Sequence, residues 1–314
     1  MKHLKNSSLL QKFAQKINDP SNIKIILPES NDRVSQASEI LSEIGINVSQ
    51  KQDIENYNIE SLAILKKLKF AKNWPEQDLI EYANHPYIKS LLILKEGKVG
   101  GVVCGSELST AEVIRGGLRI IGLKNSVKNL SSMFLMVSKN GKNFFTFSDC
   151  AVIPEPSSEQ LVEIAYQSSL MHESILNESP KIAFLSFSTN GSADHYRVKN
   201  IQKAVKIFSK KHPDIEFEGE MQVDAALDPV VSKNKIQNSK LKGDANILIF
   251  PNLDAGNIGY KLVQRFASYF ACGPLLLGLE KPVNDLSRGS TVEDIVLISI
   301  LTAIQSERAK DANI

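Results

Sequence analysis

Three short runs are apolar with little alternation: residues 23–27 (IKIIL), 182–187 (IAFLSF) and 245–250 (ANILIF). Each leads into a polar loop and then into a segment with helical periodicity. A strand buried on both faces reads this way, because its side chains meet apolar neighbours in both directions. Strand, loop and helix in repeated succession restrict the chain to an α/β fold with mainly parallel sheets. Ligands are then expected outside the carboxyl ends of the strands.

The rest of the chain keeps the rhythm. Asn31 or Asp32 can cap a helix with Val34, Ala37, Leu41 and Ile44 inward, and Gly45 ends it before a short strand at 46–48. Residues 59–70 are Lys-rich and helical in pattern, with breaks at Trp74-Pro75 and His85-Pro86. Residues 91–94 and 99–103 read as strands, with Gly100 and Gly101 leaving room for another backbone. Ser109 and Glu112 form a capping box ahead of the helix that carries Arg115. Residues 130–137 and 143–147 are β-rich and separated by Asn140-Gly141, a hairpin signal. A domain boundary is expected close by.

In the second half, Ser157 or Ser158 caps a helix whose inner face is Leu161, Ile164, Ala165, Ser168 and Met171. A later helix places Val198, Ile201, Ala204, Val205 and Phe208 inward. Residues 216–219 form a short strand. After 245–250 a last helix of this half is expected to bury Val263, Phe266 and Phe270.

Composition removes several function classes. Of 314 residues, 42% are hydrophobic and 23% charged, so the chain is globular. The net charge of +2 gives no reason to expect nucleic acid or a membrane surface. No apolar run approaches the roughly 18 residues of a membrane span. The start, MKHLKNSSLLQKF, has no secretory h-region, so a cytoplasmic protein is expected. Cys104, Cys150 and Cys272 are scattered and suggest neither a disulfide framework nor zinc. The five histidines, His3, His85, His172, His195 and His212, form no ligand pattern. There is no GxGxxG and no GxxxxGK[ST].

Four strand-to-helix loops are rich in hydroxyls, amides and glycine: Ser109-Thr110, Ser188 to Ser192, Asn252 to Asn257, and Asn284 to Ser290. Any one of them could be a helix cap and nothing more. Together they would bring helix N-termini to one anion. The fullest is 281–294 (KPVNDLSRGSTVED), polar between two apolar stretches. Ser290 and Glu293 have capping-box spacing there, so a helix is expected to start near Ser290. Taken alone, Asp294 fits a first-turn helix carboxylate, Arg288 a surface cation and Ser287 a cap.

The strings FSDCAVIPEP (147–156), SFSTNGSA (186–193), EGEMQVDAALDP (218–229), KGDANILIFPNLDAGNIGYKLVQR (242–265) and KPVNDLSRGSTVEDIV (281–296) resemble those of the phosphate acetyltransferases, or phosphotransacetylases. The resemblance covers most of the chain and is densest from residue 147 onward. It implies the reaction acetyl-CoA + phosphate = CoA + acetyl phosphate by direct attack of the CoA thiolate. CoA is then a substrate, with no tightly bound cofactor and no metal. It further implies two α/β domains of the isocitrate and isopropylmalate dehydrogenase type, the first spanning 1–138 and completed by the C-terminal 279–314, the second spanning 139–278, with an interdomain active site and a homodimer.

Carried over by position, the family's catalytic Ser falls on Ser287, its phosphate-binding Arg on Arg288 and its general base on Asp294. Arg115 falls on a substrate-binding Arg. The family-like loops put Ser188, Thr189, Gly191, Ser192, Asn257, Lys261 and Asn284 on the substrate side. The basic stretch after the first third departs from the family, since Lys67 or Lys69 of LKKLKFAKNW stands where an Arg is usual. A lysine keeps the charge and loses the bidentate fork. The alternatives are a phosphate butyryltransferase with longer acyl preference, a non-catalytic acyl-CoA-sensing domain, and a dehydrogenase of the same fold class.

Overall fold

The computed structural model describes residues 8–311, so His3 and the opening residues of the N-terminal segment lie outside the described residues. In chain order the main elements are α1 (Ser8–Ala14), β1 (Lys24–Leu27), α2 (Asp32–Glu43), β2 (Asn47–Gln50), α3 (Ser61–Lys67), α4 (Glu76–Asn84), α5 (Pro86–Lys95) and β3 (Gly101–Cys104). Next come α6 (Thr110–Gly116), β4 (Ser131–Val137), β5 (Phe144–Ser148), α7 (Ser158–Leu176), β6 (Lys181–Leu185), α8 (Tyr196–Lys211) and β7 (Glu216–Met221). The chain continues with α9 (Val223–Leu227), α10 (Pro229–Lys235), β8 (Ile247–Ile249), α11 (Leu253–Phe266), β9 (Phe270–Leu277), β10 (Val283–Asp285) and α12 (Val292–Asp311). Two compact units result: one runs up to Lys128 and resumes at Leu279, the other is Asn129–Gly278.

The first unit holds a four-stranded sheet in the order β10-β3-β1-β2, parallel throughout. Ile25, Ile26 and Leu27 of β1 are buried, as the unalternating run requires. Helix α12 is apolar on nearly every side and buries Ile295, Val296, Ile300, Leu301 and Ile304. Its buried Ser299 and Thr302 hydroxyls donate to the carbonyls of Ile295 and Ile298, so they add no orphaned donor. A Cβ on Gly101 would fall 2.4 Å from Thr302 Cγ2, so the glycine is what lets this helix lie against β3.

The second unit holds a six-stranded sheet in the order β7-β6-β8-β5-β4-β9. Strands β7, β6, β8 and β5 are parallel, and β4 and β9 are antiparallel additions. Helices α7 and α8 cover one face through Leu161, Ile164, Ile201 and Phe208 against Phe184 and Ile249. The other face packs Ala225, Ala226 and Ile236 from the α9–α10 region with Tyr260 and Val263 of α11. Strand β4 pairs with β5 and β9 and therefore belongs to this unit's sheet, although it lies on the first-domain side of residue 138. Among the described residues no helix is long and apolar enough to cross a membrane.

Several elements differ from the sequence expectation. Residues 91–94 are helical, inside α5, because Pro86 occupies its first turn and Leu91 to Leu94 are all fully buried. A helix buried on every side carries the same unbroken apolar run as a buried strand. Phe270 starts β9 rather than ending α11. Phe266 is 85% exposed, and Met171 gives up its inner position to His172, which is fully buried. Strand β10 is only three residues long and sits within a segment that reads as loop.

Candidate active site

The loop between β10 and α12 organises the site. The chain leaves the sheet at Asp285, and the Leu286 N–H donates to the Cys104 carbonyl at 2.7 Å, holding the exit beside β3. Ser287, Arg288 and Gly289 are exposed, whereas Ser290 is buried. Ser290 Oγ accepts from the Ser287 N–H at 3.0 Å and lies 3.3 Å from Ser287 Oγ. The Ser290 N–H donates to the Ser287 carbonyl at 2.9 Å. These bonds close a tight turn that presents the Ser287 hydroxyl and the Arg288 side chain outward. Among the described residues the Arg288 guanidinium makes no hydrogen bond or ion pair.

The capping box falls one residue later than expected. Asp294 Oδ2 accepts from Thr291 N and Thr291 Oγ1, both at 2.8 Å, and the Asp294 N–H donates to Thr291 Oγ1 at 3.2 Å. The pair is Thr291–Asp294 rather than Ser290–Glu293, because the Ser290 hydroxyl is already committed to the turn. Asp294 is half-buried, with one carboxylate oxygen fixed by the cap.

Two residues that the sequence does not single out hold this loop and the one after β3 in place. Arg33, in the first turn of α2, donates from Nη1 to the carbonyls of Ser290 at 2.6 Å and Arg288 at 3.0 Å, and from Nη2 to Ser106 at 3.5 Å. Glu29 is 6% exposed and accepts from the N–H groups of Gly105, Ser106, Glu107 and Leu108 at 2.9–3.0 Å and from Ser106 Oγ at 2.6 Å. The available signal was PESNDR directly after an apolar strand, since charges at a strand's carboxyl end need partners. The Ser109–Glu112 capping box of α6 forms as expected.

Asp285 is 2% exposed. Its Oδ2 accepts from Thr110 Oγ1 at 2.6 Å, and Oδ1 has no hydrogen-bond partner among the described residues. Burial pushes its carboxyl up to about 6; the Thr110 hydroxyl opposes the rise and the neighbouring Glu29 adds to it. Asn284 is fully buried, and its amide donates to Thr302 Oγ1 at 2.8 Å and Gln305 Oε1 at 2.6 Å, joining β10 to α12. That amide faces the core of the unit, not solvent.

Arg115 is exposed on α6 and lines a cavity of about 380 Å³ with Arg119, Trp74, Tyr82 and Tyr87. Arg119 lies over the Phe70 ring at 5.4 Å, and Trp74 and Tyr82 meet edge to face at 5.3 Å. Lys67 and Lys69 are exposed and do not line it.

The remaining residues belong to the second unit. Ser188 is fully buried and donates to Glu220 Oε1 at 2.8 Å, while the Gly191 N–H reaches the same oxygen at 2.7 Å. Thr189 exchanges bonds with Gln222, and Ser192 Oγ accepts from the Thr189 N–H at 3.0 Å. Glu220, 4% exposed, is thus the post around which the loop is wound. Asn257 donates to the Cys150 carbonyl at 3.2 Å, and Lys261 is exposed near the Tyr260 ring. Asp149 is held by the Ser132 hydroxyl and three backbone N–H groups, and burial raises its carboxyl.

An exposed Ser-Arg turn ahead of a helix start, at the edge of a parallel sheet, suits an anionic ligand. Residues 9–303 match the family described as "Phosphate acetyl/butaryl transferase", and the chain belongs to that family. It is similar to the phosphate acetyltransferase of Acetivibrio thermocellus, with 37% identity over 91% of this chain and 95% of the relative. Among solved structures it is similar to the EutD phosphotransacetylase from Staphylococcus aureus, at 35% identity and a TM-score of 0.82, covering 96% of this chain and 98% of that one. It shares its fold alone with 4-hydroxythreonine-4-phosphate dehydrogenase from Klebsiella pneumoniae, at 12% identity and a TM-score of 0.52 over 90% of this chain and 99% of that one.

Proposed function

We propose that this enzyme is a phosphate acetyltransferase, moving an acetyl group reversibly between CoA and phosphate. The observation that carries the reading is the closed turn at 287–290, which leaves Ser287 and Arg288 exposed while Asp294 stands one helical turn beyond. In the direction of thioester formation, the CoA thiolate sulfur attacks the carbonyl carbon of acetyl phosphate. The C–S bond forms, the bond from that carbon to the phosphate oxygen breaks, and phosphate leaves with the electron pair. The thiol is a poor nucleophile until deprotonated, and Asp294 takes its proton. The Ser287 hydroxyl donates to the oxyanion that develops on the carbonyl oxygen; one such donor is worth about 10²–10³ in rate. Arg288, with no competing carboxylate, supplies the planar fork for the phosphate, and Arg115 a second.

The loop at Ser188 to Ser192 with Asn257 and Lys261 serves the CoA side. The hydroxyls of Ser188 and Thr189 and the backbone N–H groups from Ser188 to Ala193 are bonded within the unit, so Lys261 is the exposed cation that this side offers a CoA phosphate. CoA enters as substrate. The two compact units act as the family's two domains, and the enzyme works as a cytoplasmic homodimer.

The test is thioester formation by the purified protein from CoA and acetyl phosphate without added metal, with propionyl and butyryl phosphate in parallel. Fast turnover with the acetyl compound supports the reading. Preference for the butyryl compound would move the chain to the longer-chain branch. CoA binding with no turnover would make it a sensor.

A further inference from the structure

We propose that Asp285 is a positioning residue for acetyl transfer, tying the loop that carries Ser287 and Arg288 to the helix that carries Arg115. The inference rests on the functional reading above for the roles of those three residues. Asp285 is the last residue of β10 and stands two positions before Ser287. Its partner Thr110 is the first residue of α6, five before Arg115. The bond spans 175 positions of sequence. An O–H donor at 2.6 Å to a carboxylate is a charge-assisted bond, stronger and more directional than one to a neutral amide.

The surroundings make a charge on Asp285 costly. Gly105 adopts φ +110, and a Cβ there would lie 2.3 Å from Asp285 Oδ1, so the backbone is pressed against the carboxylate. Oδ1 makes no hydrogen bond in this space among the described residues, and the adjoining Leu286 N–H is what eases the charge from the backbone side. Glu29 (after β1), Tyr87 (on α5) and Cys104 (on β3) are the titratable groups that share its field, and all are acids. An asparagine would accept from Thr110 with none of this penalty. A carboxylate held where a neutral isostere would be more stable marks a functional constraint.

Glu29 and Asp285 then divide one task. Glu29 gathers the N–H groups of Gly105 to Leu108, and Asp285 takes the Thr110 hydroxyl immediately after. The segment leading into α6 is pinned at both ends by buried carboxylates. Glu29 acts through backbone N–H groups and the Ser106 hydroxyl; Asp285 links the first residue of α6 to the Ser287 turn, beside the bridge that Arg33 makes from Ser106 to Arg288 and Ser290. Protonation of Asp285 weakens the link and lets the two arginine-bearing elements drift apart. Misplacement on the scale of 1 Å costs on the order of 10²-fold in rate.

The experiment measures kcat and KM for acetyl phosphate between pH 5 and 9, together with thermal midpoints, for wild type, Asp285→Asn, Thr110→Val and Thr110→Ser. The expected result is a wild-type acid limb of one proton near pH 6, absent in Asp285→Asn. That variant is expected to lose about 10- to 100-fold in kcat at pH 8 with an unchanged or raised thermal midpoint. Thr110→Val should show a similar loss, and Thr110→Ser should restore the rate. The proposal is overturned if Asp285→Asn keeps the wild-type rate and limb, or if activity falls only in step with the folded fraction. If wild type itself transfers no acetyl group, the functional reading fails instead. The tie is then judged by calorimetric affinity for inorganic phosphate, which Asp285→Asn must weaken for the proposal to stand.

Discussion

Arg33 donates from Nη1 to the carbonyl oxygen of Ser290 at 2.6 Å across 257 positions of sequence, and the same nitrogen reaches the Arg288 carbonyl at 3.0 Å. One guanidinium in the first turn of α2 therefore sets the backbone on both sides of Gly289. Its second nitrogen reaches Ser106, so the loops after β1, β3 and β10 meet at a single side chain. The planar fork is what permits this, since a lysine could satisfy one carbonyl but not three in a fixed geometry.

Arg33→Lys should accordingly lower kcat by about one to two decades, with KM for CoA little changed. The folded state should survive, because Arg33 is only half-buried and the carbonyls it releases can reach water. Steady-state kinetics and a thermal melt check both. An unaltered kcat would show that the turn is held by Ser290 alone.

Asp294→Asn separates the cap from the base. The amide oxygen can still accept from Thr291, so stability should change by about 1 kcal/mol or less. The rate should fall by about two to four decades, because the amide cannot take the thiol proton. Single-turnover rates with CoA and acetyl phosphate measure this directly. A variant that melts early but keeps its rate per folded molecule would remove Asp294 from the base role.

Glu220 should matter more than its silence in the sequence suggests. Glu220→Ala strands the buried Ser188 hydroxyl, at a cost of about 1–3 kcal/mol, and frees the N–H of the exposed Gly191 to turn to water. Glu220→Gln keeps an acceptor oxygen and should be milder. If the loop serves CoA, the alanine variant raises KM for CoA well above its effect on acetyl phosphate, and comparing the two KM values decides it.

His172 makes the second unit acid-sensitive. It is fully buried, Nδ1 lies 2.9 Å from Thr146 Oγ1, and Nε2 has no hydrogen-bond partner among the described residues. Glu178 stands 3.9 Å away but is itself largely exposed. Burial lowers the imidazole pKa to about 4. The unfolded chain therefore binds the proton first as pH falls from about 6.5, and stability declines down to about pH 4. A shift of that size corresponds to about 3 kcal/mol over the window. His172→Gln should flatten this part of the profile in urea melts; an equally steep profile would place the acid sensitivity elsewhere.

Much of the fold was readable because burial leaves a mark in composition. β1, β6 and β8 announce themselves as unbroken apolar runs, and Ser109, Ser157 and Asn31 as caps before helical periodicity. The same logic fails at residues 91–94, where a helix sunk on all sides carries no periodicity to distinguish it from a strand. It fails again at Phe266, where a large apolar side chain on the periodic face turns out to be 85% exposed. Periodicity shows that a helix has an apolar stripe, not what covers the stripe. At the site, Ser287, Arg288 and Asp294 stand in one local string and could be named together. Arg33, Glu29, Glu220 and Asp285 could not be given roles, because each works through partners far away in the chain or hidden by burial.

Local patterns of residues were enough to give most element types, though not those at 91–94, Phe270 and β10, and also the parallel α/β class and the turn that carries Ser287 and Arg288. Packing was needed to show that Ser290 closes the turn from inside, which moves the cap to Thr291, and that Asp285 reaches Thr110. It also showed that the Asn284 amide is spent on α12. Each of these is a matter of which polar group is out of water and which donor it then meets. Burial and long-range pairing are set by the packed sheet, and no local pattern of residues records them.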